Sequence, residues 1–259
     1  MEDFATKAKI TWCPGCPNSA ILVACRQALV ELVQEGKFKK ENVVVVAGIG
    51  CHGKIADYLN LNSFTSLHGR LVPTMTGIKA ANPALQVMGF SGDGDSYAEG
   101  MDHLIHAAKR NSDINLFIHD NQVFALTTGQ ATPTTPKGFK GKSTPFGSFE
   151  EPINPLLLML AVGATFVART YAGDIAKTKE IMKTALVHKG FSFVDIIQPC
   201  LTFFDTREYY QERIYWLDDK FPTNNLDLAM GKVKSEGEKV PFGIFYKVER
   251  PSFEELIYE

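Results

Sequence analysis

Short apolar runs rich in valine, isoleucine and phenylalanine recur along the chain. Each is followed at once by Gly, Asn, Asp or Pro, and a longer stretch of helical periodicity separates it from the next. That alternation predicts an α/β fold built on a parallel sheet. The predicted strands are Val43–Ala47 and residues 85–90, 114–119, 165–169 and 191–198. Residues 19–33 place Ile21, Leu22, Cys25, Ala28, Leu29 and Leu32 on one face at i, i+3, i+4, i+7 spacing, with Asn18 or Ser19 as the N-cap. Further helices are predicted over residues 97–110, 154–162 and 174–189, the last stopped by Gly190. Two stretches break the rhythm. Residues 127–152, dense in Gly, Pro, Ser and Thr, predict a long loop of the kind that serves as a lid or a partner-binding segment. From Phe221 onward the chain turns polar and aperiodic. The expectation is therefore one domain over residues 1–220, with an extended C-terminal tail at 221–259 packing on a partner subunit.

Composition narrows the function classes. Lys and Arg number 27 against 29 Asp and Glu, and no block of like charge runs to five residues, so there is no electrostatic footprint for nucleic acid or an anionic membrane. The longest apolar runs, such as Val43–Ala47, fall far short of the roughly 18 residues a membrane span needs. Early acids and the lack of an apolar stretch at the N-terminus argue against a secretory signal and predict a cytoplasmic protein. Five cysteines, an odd number, fit a complete disulfide framework poorly, which leaves metal binding, catalysis or burial.

The segments that follow the strands carry the chemistry. They are GIGCHGK after Val43–Ala47, SGDGDSY after 85–90, DNQVFALTTGQ after 114–119, and PC after 191–198. In an open parallel sheet the carboxyl ends of the strands share one edge, where ligands bind. Cys51, Asp93, Asn121 and Cys200 are thus expected on one rim. In GDGD the glycines permit a tight turn that presents Asp93 beside free N–H groups at a helix start, a place for a metal-bound phosphate. An Asp, an Asn oxygen and a backbone carbonyl are hard ligands suited to Mg2+. By themselves these residues fit a surface turn and a strand cap equally well. An EF-hand is excluded, because Tyr97 and Ala98 stand where its ligand and glycine belong. GIGCHG also matches the dinucleotide fingerprint, but that motif needs an acid about 20 residues on, and none lies between Asp57 and Asp93.

GDG followed at this separation by Asn121, within GFSGDGDSYAEGMDHLIHAAKRN and HDNQVFALTTGQATPT, resembles the thiamine diphosphate signature of the β subunits of 2-oxoacid:ferredoxin oxidoreductases. The resemblance runs from Cys13 through Cys200. It implies a thiamine diphosphate-binding α/β fold, with Asp93, Asn121 and the backbone carbonyl of Val123 on Mg2+. Gly92, Gly94, Asp95, Thr127 and Gln130 are then implied near the cofactor. Where the general signature ends in Asn-Asn, this chain has Asp120-Asn121-Gln122.

Cys13 and Cys16 flank a Pro-Gly turn, and a CxxC turn offers two thiolates to one metal or cluster. From the residues alone, a 4Fe-4S cluster, a structural zinc, a redox pair and plain burial all remain open. The resemblance implies that Cys13, Cys16, Cys51 and Cys200 hold a 4Fe-4S cluster, with Gly50 allowing close backbone approach and His52 hydrogen-bonding a sulfur. Cys25, on the apolar helix face, is accounted for by burial. Lys54, three residues after Cys51, is implied to face the substrate, with His68 and Arg70 as further basic candidates. The implied reaction converts a 2-oxoacid and coenzyme A into acyl-CoA, carbon dioxide and reduced ferredoxin. An α subunit supplying the pyrimidine-binding domain is expected, in an (αβ)2 assembly. The rival readings are a non-redox thiamine decarboxylase or synthase subunit and a zinc-bound assembly subunit.

Overall fold

A computed structural model describes residues 4–235 and 237–258. Helix α1 (Asn18–Gln34) buries Ile21, Leu22, Cys25, Ala28, Leu29 and Leu32, the face its periodicity predicts. Its start differs from expectation. Pro17 occupies the cap position without a side-chain cap, and Asn18 turns inward, with Oδ1 2.8 Å from His119 Nδ1. A buried amide needs a partner more than the helix end needs a cap, because solvent can satisfy exposed N–H groups. Strand β1 (Val43–Ala47) leads to the short α2 (Ile55–Tyr58) and to β2 (Asn62–Thr65), which is exposed throughout. Then comes α3 (Leu71–Ala81), which the sequence pattern hides behind Pro73 and Gly77. Pro73 sits in the first turn, where its missing N–H has no intrahelical partner to lose.

Strand β3 (Gln86–Gly92) ends at the GDGD segment, and α4 (Met101–Arg110) and β4 (Asn115–Asp120) follow. The predicted single helix over 97–110 is interrupted. Gly94–Glu99 forms one π-helical turn, and the α-helix restarts after Gly100, where a Cβ would lie 2.8 Å from the carbonyl oxygen of Gly69. Such π turns concentrate at functional sites. A small hairpin, β5 (Val123–Phe124) with β6 (Gln130–Ala131), opens the long loop, which ends at α5 (Pro155–Ala161), capped by Asn154. Strand β7 (Phe166–Tyr171), the Asp174-capped α6 (Ile175–Leu186) and β8 (Ser192–Ile197) complete the predicted set. The chain goes on through α7 (Arg207–Arg213), β9 (Ile214–Trp216), α8 (Leu226–Lys234), β10 (Val240–Lys247) and α9 (Phe253–Tyr258).

Eight strands make one sheet in the order β2-β1-β3-β4-β8-β7-β10-β9. Neighbours are parallel except β10 against β7. The segment beyond Phe221, expected as an extended tail, thus contributes α8, α9 and an internal strand. Pro241, Gly243 and a bulge between Ile244 and Tyr246 blur the alternation that would have announced β10. Apolar side chains fill both faces of the sheet. On β3, Met88 and Phe90 join α1 and α6 on one face while Val87 joins α3 and α4 on the other. β8 divides in the same way, with Val194 and Ile196 opposite Phe193. Helices on both faces leave the carboxyl edge of the parallel strands as the open crevice.

Candidate functional site

The loops that leave β1, β3, β4 and β8 meet at that edge. A cavity of about 70 Å³ is lined there by Gly50, Cys51, His52, Gly92, Asp93, Gly94, Asn121, Val123 and Thr127, together with His68 and Asp95. Most residues predicted for the site are therefore brought together.

Asp93 is 2 % exposed. Its Oδ2 accepts a hydrogen bond from the Thr134 hydroxyl at 3.1 Å, and burial pushes its carboxyl above the usual carboxylate range even though the Thr132 and Thr134 hydroxyls and the Asn121 N–H favour the charged form. Asn121 follows β4 directly, and its Oδ1 accepts from the Val123 N–H at 3.1 Å. Gln122, with φ 62°, turns the backbone so that Asn121 and Val123 both reach the cavity. Asp120 is buried beneath them, and burial followed by the charges of Asp195 and Asp93 pushes its carboxyl far up.

Asp95 lines the cavity and is also bonded into its wall. Its Oδ1 accepts from the Gly69 N–H at 2.7 Å and stands 2.9 Å from His68 Nδ1, while its Oδ2 accepts from the Ser91 hydroxyl at 2.7 Å. His52 Nε2 lies 3.5 Å from the same oxygen, an ionic contact rather than a good hydrogen bond. Burial alone would raise the Asp95 carboxyl, but His52 and these donors outweigh it and hold the group below its ordinary value. Asp95 thus organises the pocket wall. The His52 ring is wedged between two glycines: a Cβ on Gly92 would come 2.7 Å from Nδ1, and one on Gly50 would come 2.5 Å from Cε1. Only glycine at both positions lets the ring lie under the backbone.

Thr127 donates to Gln130 Oε1 at 2.7 Å, so Gln130 stands behind Thr127 rather than in the cavity wall. Lys54 lies outside the lining and faces the exposed Asp57 at 3.3 Å. Arg70 also lies outside, 3.5 Å from the carbonyl oxygens of Gly69 and Glu99. Of the three basic candidates, only His68 borders the cavity.

Cys13, Cys16, Cys51 and Cys200 converge beside this pocket. Cys16 is pushed up to about 11, first by burial and then by Cys13, Cys51 and Cys200; burial and the charges of Cys200 and Cys13 likewise raise Cys51. The Cys13–Cys16 turn closes with the Cys16 N–H donating to the Cys13 carbonyl at 3.0 Å. Trp12 Nε1 donates to the Cys51 carbonyl at 2.7 Å, which fixes the turn against the loop after β1. Cys25 is buried in the core, away from this set. Among the described residues, no three His, Cys, Asp or Glu side chains converge closely enough for a single metal ion.

Several functional residues escape sequence reasoning. Gln198, buried after β8, accepts from Asn121 Nδ2 at 3.4 Å and points Nε2 at Cys16 Sγ, 4.0 Å away, so it spans both halves of the site. Its only sequence signal is its place between a strand and Pro199-Cys200. Thr134 and Ser91 gave no signal beyond the turn chemistry around them.

A family model described as thiamine pyrophosphate enzyme, C-terminal TPP binding domain, matches residues 48–196, and one that describes the C-terminal part of the pyruvate ferredoxin oxidoreductase beta subunit matches residues 200–259. The 2-oxoacid:ferredoxin oxidoreductase subunit beta of a Sulfolobus species is 44% identical, over 95% of this chain and 85% of its own. The 2-oxoglutarate synthase subunit KorB of Archaeoglobus fulgidus is 40% identical, over 74% of this chain and 70% of its own. A solved structure of the 2-oxoglutarate:ferredoxin oxidoreductase from Magnetococcus marinus, with 2-oxoglutarate, coenzyme A and succinyl-CoA bound, superposes with a TM-score of 0.94 at 33% identity, covering 98% of this chain and 87% of that one. No helix among the described residues is long and apolar enough to cross a membrane. The fold, the meeting of GDG and Asn121 at the carboxyl edge and these likenesses agree, and the chain belongs to the family of 2-oxoacid:ferredoxin oxidoreductase β subunits.

Proposed function

We propose that this β subunit binds thiamine diphosphate through Mg2+ on Asp93, Asn121 and the Val123 carbonyl, and a 4Fe-4S cluster on Cys13, Cys16, Cys51 and Cys200, to oxidise a 2-oxoacid with coenzyme A and reduce ferredoxin. The observation that carries the reading is the meeting of two cation-seeking sets at one edge. Asp93 is a buried carboxylate beside two neutral oxygen donors, a hard-ligand set suited to Mg2+. The four thiols lie near enough to raise one another's pKa, so as thiolates they would repel, and four thiolates are the ligand set of a 4Fe-4S cluster. Thiamine diphosphate supplies the electron sink for decarboxylation, and the cluster supplies one-electron transfer.

The chain's own residues do the positioning. Gly92 and Gly94 let His52 and Phe124 pack against the cofactor turn, since a Cβ on Gly94 would meet the Phe124 ring at 2.2 Å. Asp95 holds His68 with Nδ1 toward its carboxylate, which leaves Nε2 as the ring nitrogen to exchange a proton with substrate. Lys54 lies outside the cavity lining, but its pairing with exposed Asp57 is a weak tether that leaves it able to turn toward a substrate carboxylate.

About 70 Å³ is far below the roughly 300 Å³ or more of a cofactor pocket. Exposed Ile49 and Leu126 line it, apolar positions for a partner subunit that would close it. That partner is the α subunit with the pyrimidine-binding domain, in an (αβ)2 assembly, and five free cysteines suit a reducing cytoplasm. The test is iron, acid-labile sulfide, zinc and thiamine diphosphate per chain on anaerobically purified complex, followed by 2-oxoacid-dependent ferredoxin reduction. About four irons, four sulfides and one thiamine diphosphate are expected. Thiamine without iron would leave a non-redox enzyme, and zinc without thiamine would leave an assembly subunit.

A further inference from the structure

The long loop between β6 and α5 is fastened to the cation site by one side chain. Thr134 is 5 % exposed, and its hydroxyl lies 3.1 Å from Asp93 Oδ2 and 2.9 Å from Asp120 Oδ1. One hydroxyl has one hydrogen to donate and lone pairs to accept with, so it bridges the two carboxyl groups. The turn that carries Thr134 is itself rigid: the Thr132 N–H donates to Thr135 Oγ1 at 2.7 Å, and the Thr135 hydroxyl donates to the Gln122 carbonyl. The Ile153 N–H donates to the Pro133 carbonyl at 2.9 Å, bringing the two ends of residues 133–153 together. Within them, Gly138 and Ser148 bond at 2.8 Å, and the Phe139 ring packs edge-on against Phe204 at 4.9 Å, just past Cys200. The tip presents Phe146 and Phe149, 97 % and 82 % exposed. The segment is a long loop closed at its base, and its buried polar anchor is shared with the proposed cation ligand.

We infer that Thr134 is a positioning residue: it holds the Asp93 carboxylate in the orientation that binds the divalent cation, and through it cation occupancy sets the order of the loop that carries Phe146 and Phe149. This rests on the reading of Asp93 as the Mg2+ ligand. A divalent cation held by Asp93 would favour its ionised form, and a charged acceptor takes the Thr134 hydrogen more strongly than a neutral one. Without it, nothing fixes which of the two carboxyl groups takes that hydrogen, and the hold on the Asp93 end is weaker.

The experiment uses the enzyme with its partner subunit as purified, thiamine diphosphate, and Mn2+ as the probe. Free Mn2+ is counted by electron paramagnetic resonance at room temperature, and trypsin cleavage at the exposed Lys137, Lys140 and Lys142 reports loop order. Thr134→Val is expected to weaken Mn2+ binding about tenfold or more, the scale of a lost hydrogen bond to a charged group. Thr134→Ser should stay within about twofold of wild type. Mn2+ with thiamine diphosphate should slow cleavage in wild type and in the serine variant but not in the valine variant. Should the valine protein not fold, Thr134→Ala gives the same comparison. Wild-type affinity and protection in the hydroxyl-free variants would overturn the inference while leaving Asp93 as the ligand. Mn2+ binding unaffected by Asp93→Asn would overturn the ligand reading and the inference with it.

Discussion

Arg169 and Asp195 face each other across β7 and β8 in direct register, with Nε 3.1 Å from Oδ2 and the two side chains 7 % and 0 % exposed. Tyr97 donates to Asp195 Oδ1 at 3.2 Å, and the guanidinium lies 6.0 Å from the Phe242 ring centre. Replacing Arg169 with Met keeps length and apolar contact but leaves Asp195 buried without its ion-pair partner, and removes the positive charge that offsets Asp120. Removing one member of a buried pair costs about 3 to 5 kcal/mol. For a chain of this size that corresponds to a fall in melting temperature of roughly 6 to 20 °C. Asp195→Leu alone removes the carboxylate that Arg169 pairs with across the sheet and should cost a similar amount. The double variant, with no buried charge left in the pair, should recover most of the loss, since well-packed apolar replacements of buried pairs are often neutral. Scanning calorimetry of the purified assembly reads all three. A fall below about 2 °C for Arg169→Met would refute the reasoning, as would a double variant as unstable as the two single effects added together.

Three further outcomes follow from the geometry. Cys200→Ser should lose iron and sulfide from the assembly while Cys25→Ala keeps wild-type amounts, because only the first lies in the converging set; an iron assay on both checks this. Gly92→Ala should drive His52 from its place beneath the backbone and weaken thiamine diphosphate binding about tenfold, measured by calorimetric titration, because overpacking by one methyl costs about 1 to 3 kcal/mol. His188 is 6 % exposed, and burial, followed by Lys247, lowers it to about 4 from 6.5. The folded state thus keeps it neutral, and its contribution to stability is complete above pH 6.5 and declines as pH falls toward 4, by at most about 3 kcal/mol. His188→Gln should flatten that acid limb of melting temperature against pH.

The strands that build the site were legible because each is a short apolar run closed by a chain-breaking residue, so the loops of GDGD, Asn121, Cys51 and Cys200 could be set on one edge from pattern alone. The rest was hidden for identifiable reasons. α3 contains Pro73 and Gly77, which look like breakers but sit where a helix tolerates them. β10 carries a proline, a glycine and a bulge, and its partner β7 lies some 70 residues earlier, a pairing that local pattern cannot announce. Within the site, residue type pointed to the proposed ligands but not to the residues that orient them. Asp95, adjacent in sequence to the cofactor turn, looked like a contact to the cofactor, and only the fold shows it bound to Gly69, Ser91 and His68. Gln198 and Thr134 act through partners 77 and 41 residues away.

The distribution of buried charge favours Asp93 as the proposed cation site. Asp93, Asp95, Asp120 and Asp195 are all at most 3 % exposed at or near the same sheet edge. Asp195 faces Arg169; Asp95 faces two histidines and a backbone N–H; Asp120, whose carboxyl burial drives far up, still feels Arg169. Among the described residues, the partners that favour ionised Asp93 are hydroxyls and N–H groups, none of which carries charge. A buried carboxylate is tolerated only when its charge is met or removed. Here the neighbouring oxygens of Asn121 and Val123 offer the remaining ligands of a hard cation, so the unmet negative charge and the oxygen donors coincide. Relocating the charge by Asp93→Asn with Asn121→Asp restores the count of charges but turns the carboxylate away from Thr134. Such a double variant separates a site that needs only a negative charge from one that needs it held by the loop.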